Sequence, residues 1–162
     1  MKSISVRRVD RDRTTNSFLV TLREDENPRR QFDIYIGLHE GTVITMTMEG
    51  EQSPRPLTHD LLLILIDKLA AQVKNVVLTH VSNGTYFAEL IVQPDQGEEF
   101  SVSCRPSDGV ALALKANAPL YASDALLDEV ARESEETGEQ SAEILDEFKE
   151  FIENINPEDF DI

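Results

Sequence analysis

Two short polar stretches hold most of the side chains that could do chemistry. The first is Arg55-Pro56-Leu57-Thr58-His59-Asp60, which runs into Leu61-Leu62-Leu63-Ile64-Leu65-Ile66. The second is Arg105-Pro106-Ser107-Asp108, which opens Val110-Ala111-Leu112-Ala113-Leu114. Each sets a guanidinium, a hydroxyl and a carboxylate at the mouth of an apolar helix, and the first adds an imidazole. A histidine of ordinary pKa serves as a general base or a metal ligand near neutral pH. Part of this pattern needs no reaction to explain it. Thr58 is a good N-cap, Asp60 and Asp108 complement a helix dipole, and Pro56 and Pro106 punctuate helix starts. That account leaves His59, Arg55 and the repeated Arg-Pro pair unused.

The familiar catalytic signatures are missing. There are no paired cysteines, no H-E-x-x-H, no phosphate-cradling G-x-x-x-x-G-K-[ST] and no G-x-S-x-G. Cys104 is the sole cysteine and reads as a structural thiol in a strand. His80 falls within a hairpin and reads as a sheet-surface residue, and His39 precedes Glu40 at the end of a strand. One use remains for the polar entrances. Phosphodiester cleavage needs an activated water and charge stabilisation on phosphate, which carboxylate-held Mg²⁺ or Mn²⁺ with an arginine would supply. Glu40, Asp60 and Asp108, with Arg55 and Arg105, form such a set if the two entrances and residue 40 meet.

The elements that must position these groups follow from periodicity. Alternating patterns over 3–10, 17–24 and 31–36 predict three strands in an antiparallel meander, with Asn27-Pro28 in the second turn. Residues 37–50 are divided: Thr42 to Met48 alternates and is β-branched, whereas Leu38, Val43, Met46 and Gly50 suit a short helix closed by glycine. Pattern favours the strand. The Leu61–Leu69 run is apolar almost all round and predicts a helix packed on more than one side. Asn83-Gly84 predicts a type I′ hairpin that sets Val81 opposite Tyr86, Thr79 opposite Ala88 and Val77 opposite Leu90, these making the apolar face. A strand over 99–104 follows, then the helix from Pro106, a short strand at 120–122 and a helix capped by Ser123. Residues 133–140 read as an acidic linker and 141–162 as an amphipathic helix and tail, leaving 1–132 as the main domain. Leu145, Phe148, Ile152 and Ile155 give that last helix a stripe for its own domain or a protein partner.

The net charge of −16 is uneven. Residues 1–30 carry eight basic and five acidic groups, whereas 121–162 carry two and fifteen. Long-range repulsion of phosphate backbones therefore weighs against unaided nucleic-acid binding. The longest apolar run is too short to span a bilayer, and Met1 to Arg8 has no apolar leader core, so a cytoplasmic chain is expected.

The same stretches, with Ile36-Gly37-x-x-Glu40, Gly84-Thr85-Tyr86-Phe87-Ala88 and Phe148-Lys149-Glu150-Phe151 through Asn156-Pro157-Glu158-Asp159-Phe160, resemble the bifunctional nuclease family. The likeness covers nearly the whole chain. It implies an α+β domain with a mixed, largely antiparallel sheet flanked by helices, and self-association into a homo-oligomer. It also implies a helix over 38–50, although Gly41, Thr42, Thr45 and Thr47 depart from the family's alanine-rich segment. The family name implies cleavage of RNA and DNA, an activity attributed chiefly to plant members. The competing expectation is a non-enzymatic regulatory or interaction module of the same fold. Motif positions carry over as candidates: His59, Asp60, Asp108 and Glu40 for catalysis, and Arg55, Thr58, Arg105 and Ser107 for substrate binding.

Overall fold

The computed structural model describes residues 1–132. The expectations for the linker and the terminal helix lie outside those residues. The chain runs β1 (Lys2–Asp12), β2 (Ser17–Glu24), β3 (Gln31–Ile36), α1 (Leu38–Met48), α2 (Thr58–Lys68), β4 (Ala71–Ser82), β5 (Thr85–Pro94), β6 (Phe100–Cys104), α3 (Pro106–Ala116), β7 (Leu120–Ala122) and α4 (Asp124–Val130). The strands form one seven-stranded sheet in the order β3-β2-β1-β7-β4-β5-β6. Only β4 and β7 pair in parallel; the other ladders are antiparallel. This is the α+β architecture with a mixed, largely antiparallel sheet.

The core lies between sheet and helices. Val20, Leu22, Phe32, Val76, Leu78 and Ala88 bury one sheet face, met by Ile44 of α1 and Val110 to Ala113 of α3. Two glycines let helices come close. A Cβ on Gly41 would lie 2.2 Å from the Phe18 ring, and one on Gly109 would lie 2.8 Å from Val76. These distances are below any real contact, so the spacing of α1 from β2 and of α3 from β4 depends on the missing side chain.

Residues 38–48 are helical, so the strand pattern loses there. The threonines that argued for a strand are accommodated by their hydroxyls. Thr42, Thr45 and Thr47 each donate to the carbonyl four residues back, on Leu38, Gly41 and Val43, at 2.8, 3.0 and 2.8 Å. Gly41, Val43 and Ile44 then turn to the core.

The hairpin forms at Asn83-Gly84, both with positive φ, as a type I′ turn requires. Its register holds for Val81–Tyr86 and His80–Phe87, then slips. A bulge between Leu78 and His80 sets Leu78 opposite Ala88 and Val76 opposite Leu90. The buried face is therefore Val76, Leu78, Ala88 and Leu90, not the expected Val77 and Thr79. One inserted residue inverts the alternation of everything beyond it.

The α2 expectation also fails. Its side chains are not enclosed on several sides: Leu61, Leu62, Ile64, Leu65 and Leu69 are exposed, Leu69 at 78%. His59 alone is buried in this helix, with Leu63 and Ile66 half-buried against the core. Thr58 is not the N-cap either. Leu57 takes that place without a side-chain cap, and its N–H donates to Asp60 Oδ2 at 2.9 Å. Asp60 thus reaches back to the N-cap N–H, as the third residue of a capping box does. The predicted Ser123 cap is present, its Oγ accepting from the Leu126 N–H at 3.0 Å.

Candidate functional site

The starts of α2 and α3 meet beside α1. His59, the second residue of α2, turns inward and is only 8% exposed. Its Nε2 lies 3.1 Å from Asp108 Oδ1, in the first turn of α3. Arg105, the N-cap of α3, donates to the same carboxylate through Nε at 2.7 Å and Nη2 at 3.0 Å. Its Nη2 also donates to Glu40 Oε1 at 2.7 Å, in the first turn of α1. Three helices are joined by the chain Glu40–Arg105–Asp108–His59. Arg105 is the exposed member at 66% of its side chain, so its guanidinium faces solvent while holding both carboxylates.

The electrostatics follow from this geometry. Burial works to raise the Asp108 pKa, but the hydrogen bonds from Arg105 and His59 outweigh it and the carboxyl is held below its ordinary value. The Asp108 and Glu40 partners push Arg105 further above its already high value, so it stays charged. Burial, with Asp108 nearby, raises the Cys104 thiol to about 11. A thiol so shifted is a poor nucleophile at neutral pH, in keeping with its structural reading. His59 Nδ1 is buried with no hydrogen-bond partner. If Nε2 donates to Asp108, Nδ1 is the unprotonated ring nitrogen and faces the interior.

A cleft of about 840 Å³ opens at this cluster. Glu40, Thr58, His59, Arg105 and Asp108 line it, with Leu38, Val43, Met46 and Leu57 as apolar wall. His39, Arg11, Thr42 and Ser53 complete its polar lining. Sequence reasoning missed Arg11, which lies on β1 and carries no motif. Only the register of β1 against β2 brings it here.

Three expected members stand elsewhere. Asp60 faces away and accepts from Lys115 Nζ at 2.7 Å. It is one residue past His59, and one residue turns a helix by about 100°. Lys115 holds the Asp60 carboxyl below its ordinary pKa. This pair belongs to a second cleft, of about 580 Å³, on the other side of Pro56 and Ser53. Arg55 is exposed and does not line the His59 cleft. Ser107 is buried in the first turn of α3 and does not line it either.

This arrangement does not fit a carboxylate-held divalent cation. Asp60 is spent on Lys115, and one guanidinium occupies both Glu40 and Asp108. Among the described residues no three His, Cys, Asp or Glu side chains are placed to hold a metal ion. Arg105 is the member of the cluster whose positive charge faces solvent. Also among the described residues, no helix is long and apolar enough to cross a membrane.

Comparison with known proteins places this cluster in a family. The bifunctional nuclease domain matches residues 20–135, a span that includes all four members of the chain from Glu40 to Asp108. Two Mycobacterium tuberculosis proteins, the uncharacterized proteins MT1877 of strain CDC 1551 / Oshkosh and Rv1829 of strain ATCC 25618 / H37Rv, are each 35% identical to the chain over 147 residues. The alignment covers 87% of this chain and 87% of each relative. The chain belongs to the bifunctional nuclease domain family.

Proposed function

We propose that the chain hydrolyses phosphodiester bonds of RNA and DNA at the cleft beside α1, α2 and α3. The observation that carries this reading is the Arg105 guanidinium, open to solvent and bridged to Glu40 and Asp108, with His59 Nε2 on the same Asp108 carboxylate. Arg105 binds the phosphate and offsets charge as it builds on phosphorus. His59, in contact with Asp108 through Nε2, orients that carboxylate beside Arg105. Water attacks phosphorus, its proton passes to the Asp108 carboxylate at the cleft, and the bond to the leaving sugar oxygen breaks as that oxygen is protonated from solvent. Glu40 positions Arg105. Thr58, exposed at the first position of α2, offers a hydroxyl at the cleft wall.

Cleavage of single-stranded RNA and DNA by the pure protein, with and without Mg²⁺ or Mn²⁺, tests this. The His59→Ala, Asp108→Ala double variant loses the activity while an equally folded Arg55→Gln variant keeps it. Cleavage that survives in the double variant would sink the assignment.

A second reading draws on a different observation. The outer leucines of α2 form an exposed apolar face on a folded domain, and such faces mark protein contacts. On that reading the chain is a regulatory or interaction module, self-associating through α2, and the Glu40–Arg105–Asp108–His59 chain ties three helices together. A folded protein that cleaves neither substrate, yet sediments as a homo-oligomer, would favour it.

A further inference from the structure

The cleft holds one cation that the cluster does not use. We infer that Arg11 is a second phosphate contact, and that the ligand of the cleft is a single strand whose unpaired base lies on the apolar wall. This rests on the phosphodiesterase reading of the same cleft and names its substrate form.

The register places Arg11. It pairs directly with Phe18 across the β1–β2 ladder, and directly opposed residues share a sheet face. The Phe18 ring lies against Gly41 of α1, so that face is the one that carries α1. Arg11 therefore stands on the sheet face that carries α1, and it lines the same cleft as Arg105. Among the described residues its charge has no partner. Arg8 pairs with Asp10, Arg30 with Glu24 and Asp128, and Arg105 with Glu40 and Asp108, but Arg11 makes no ion pair with a described residue. Within the lining, the two carboxylates are already matched by Arg105, so Arg11 provides the cleft's free positive charge. In a chain of net charge −16, a solvent-exposed unpaired guanidinium at a cleft is where a phosphate gains most.

The wall argues for the form of the ligand. Leu38, Val43, Met46 and Leu57 give the cleft apolar lining beside its cationic groups. A duplex presents sugar and phosphate outward and keeps its bases stacked, leaving such a wall unused. A single strand can lay a base face on it while its phosphates reach the arginines.

Binding of a short fluorescein-labelled oligodeoxynucleotide, followed by anisotropy over a series of salt concentrations, tests the inference. Arg11→Gln should weaken binding several-fold and reduce the slope of log K against log salt by about 0.7, the loss of one phosphate contact on a single strand. Arg13→Gln removes the same charge from the adjacent turn, outside the cleft lining, and should leave the slope near the parent value. Met46→Lys, which spoils the apolar wall, should lower the preference for the single strand over the same sequence as a duplex. An Arg11→Gln slope equal to the parent's, with parent binding intact, overturns the Arg11 contact and leaves the phosphodiesterase reading standing. Tighter binding of the duplex than of the single strand overturns the assigned ligand form. Failure of the parent protein to bind either oligonucleotide overturns both readings together.

Discussion

The α2 and α3 entrances look alike in sequence and behave differently in the fold. Both begin Arg-Pro, both carry a first-turn aspartate, and both lead into a run of aliphatic residues. In α3 the first residues and the run are buried: Ser107, Gly109, Val110, Ala111, Leu112 and Ala113 all face the core. In α2 only His59 is buried and four large aliphatic side chains stand in solvent, with Leu69 exposed at its C-cap. Side-chain size accounts for the difference. Glycine and alanine let α3 settle onto β4 and β5, with Gly109 against Val76 and Cys104. In α2 one narrow edge, His59 with Leu63 and Ile66, reaches the core. The arginines part company for the same reason. Arg105 caps a helix fixed to the sheet and gathers two carboxylates, whereas Arg55 precedes the α2 N-cap by two residues and stays in solvent. A helix mouth becomes a site where the helix behind it is anchored.

Four substitutions or conditions test that contrast. The largest effect falls on the arginines. Arg105→Gln should lower the cleavage rate by about 100-fold, as for loss of one charge-stabilising donor, whereas Arg55→Gln should leave it near the parent value. Steady-state cleavage of a labelled single strand measures both, and equal losses would mean that the two entrances are equivalent after all.

The next effect is on anchoring. Gly109→Val should cost about 2 kcal/mol or more in urea unfolding, because its first added carbon already meets Val76 at 2.8 Å. Leu62→Ala on the outer face of α2 should change stability by less than about 0.5 kcal/mol. A large loss from Leu62→Ala would show that α2 is covered by something in the folded protein.

Acid sharpens the comparison of the two aspartates. Asp60 and Asp108 both have pKa values held below the ordinary carboxylate value, Asp60 chiefly by Lys115 and Asp108 by Arg105 and His59 acting against burial. Each therefore contributes stability that is complete above the unfolded pKa of about 3.9 and is lost as pH falls through the folded value. The urea midpoint should drop over that acid window, and the Asp60→Asn, Asp108→Asn double variant should show a shallower drop. Parallel acid profiles for parent and variant would mean that neither pair supports folding.

The smallest expected change in stability accompanies a change in association. Leu61→Ser with Leu65→Ser should leave the unfolding midpoint within about 0.5 kcal/mol of the parent. It should also reduce the mass measured by light scattering if α2 joins copies of the chain. An unchanged mass would move self-association to another surface.

Much of this was legible in the residues. The periodicity of 17–24 and 31–36, the Asn83-Gly84 turn, Pro106 at the start of α3 and the Ser123 cap are local signals, and local signals survive folding. The Glu40–His59–Arg105–Asp108 set was among the residues singled out, because unusual polar groups at helix mouths are visible in one dimension. The rest was settled at longer range. The α1 segment has a strand's composition, and its helix rests on Gly41 meeting Phe18, a contact between residues 23 apart in sequence. The hairpin's buried face was inverted by a bulge that no residue near Thr79 announces.

The sequence by itself determined an α+β domain, two polar helix mouths and an acidic chain with one cysteine. Tertiary structure alone decided that His59 joins Asp108 while Asp60, its neighbour, turns to Lys115. It also decided that Arg105 rather than Arg55 enters the cluster and that Arg11 lines the cleft. The physical reason is directional. Residue type and spacing specify which groups sit at a helix start, but the direction of each side chain is fixed by which edge of the helix finds the core. That depends on small residues and strand registers many positions away.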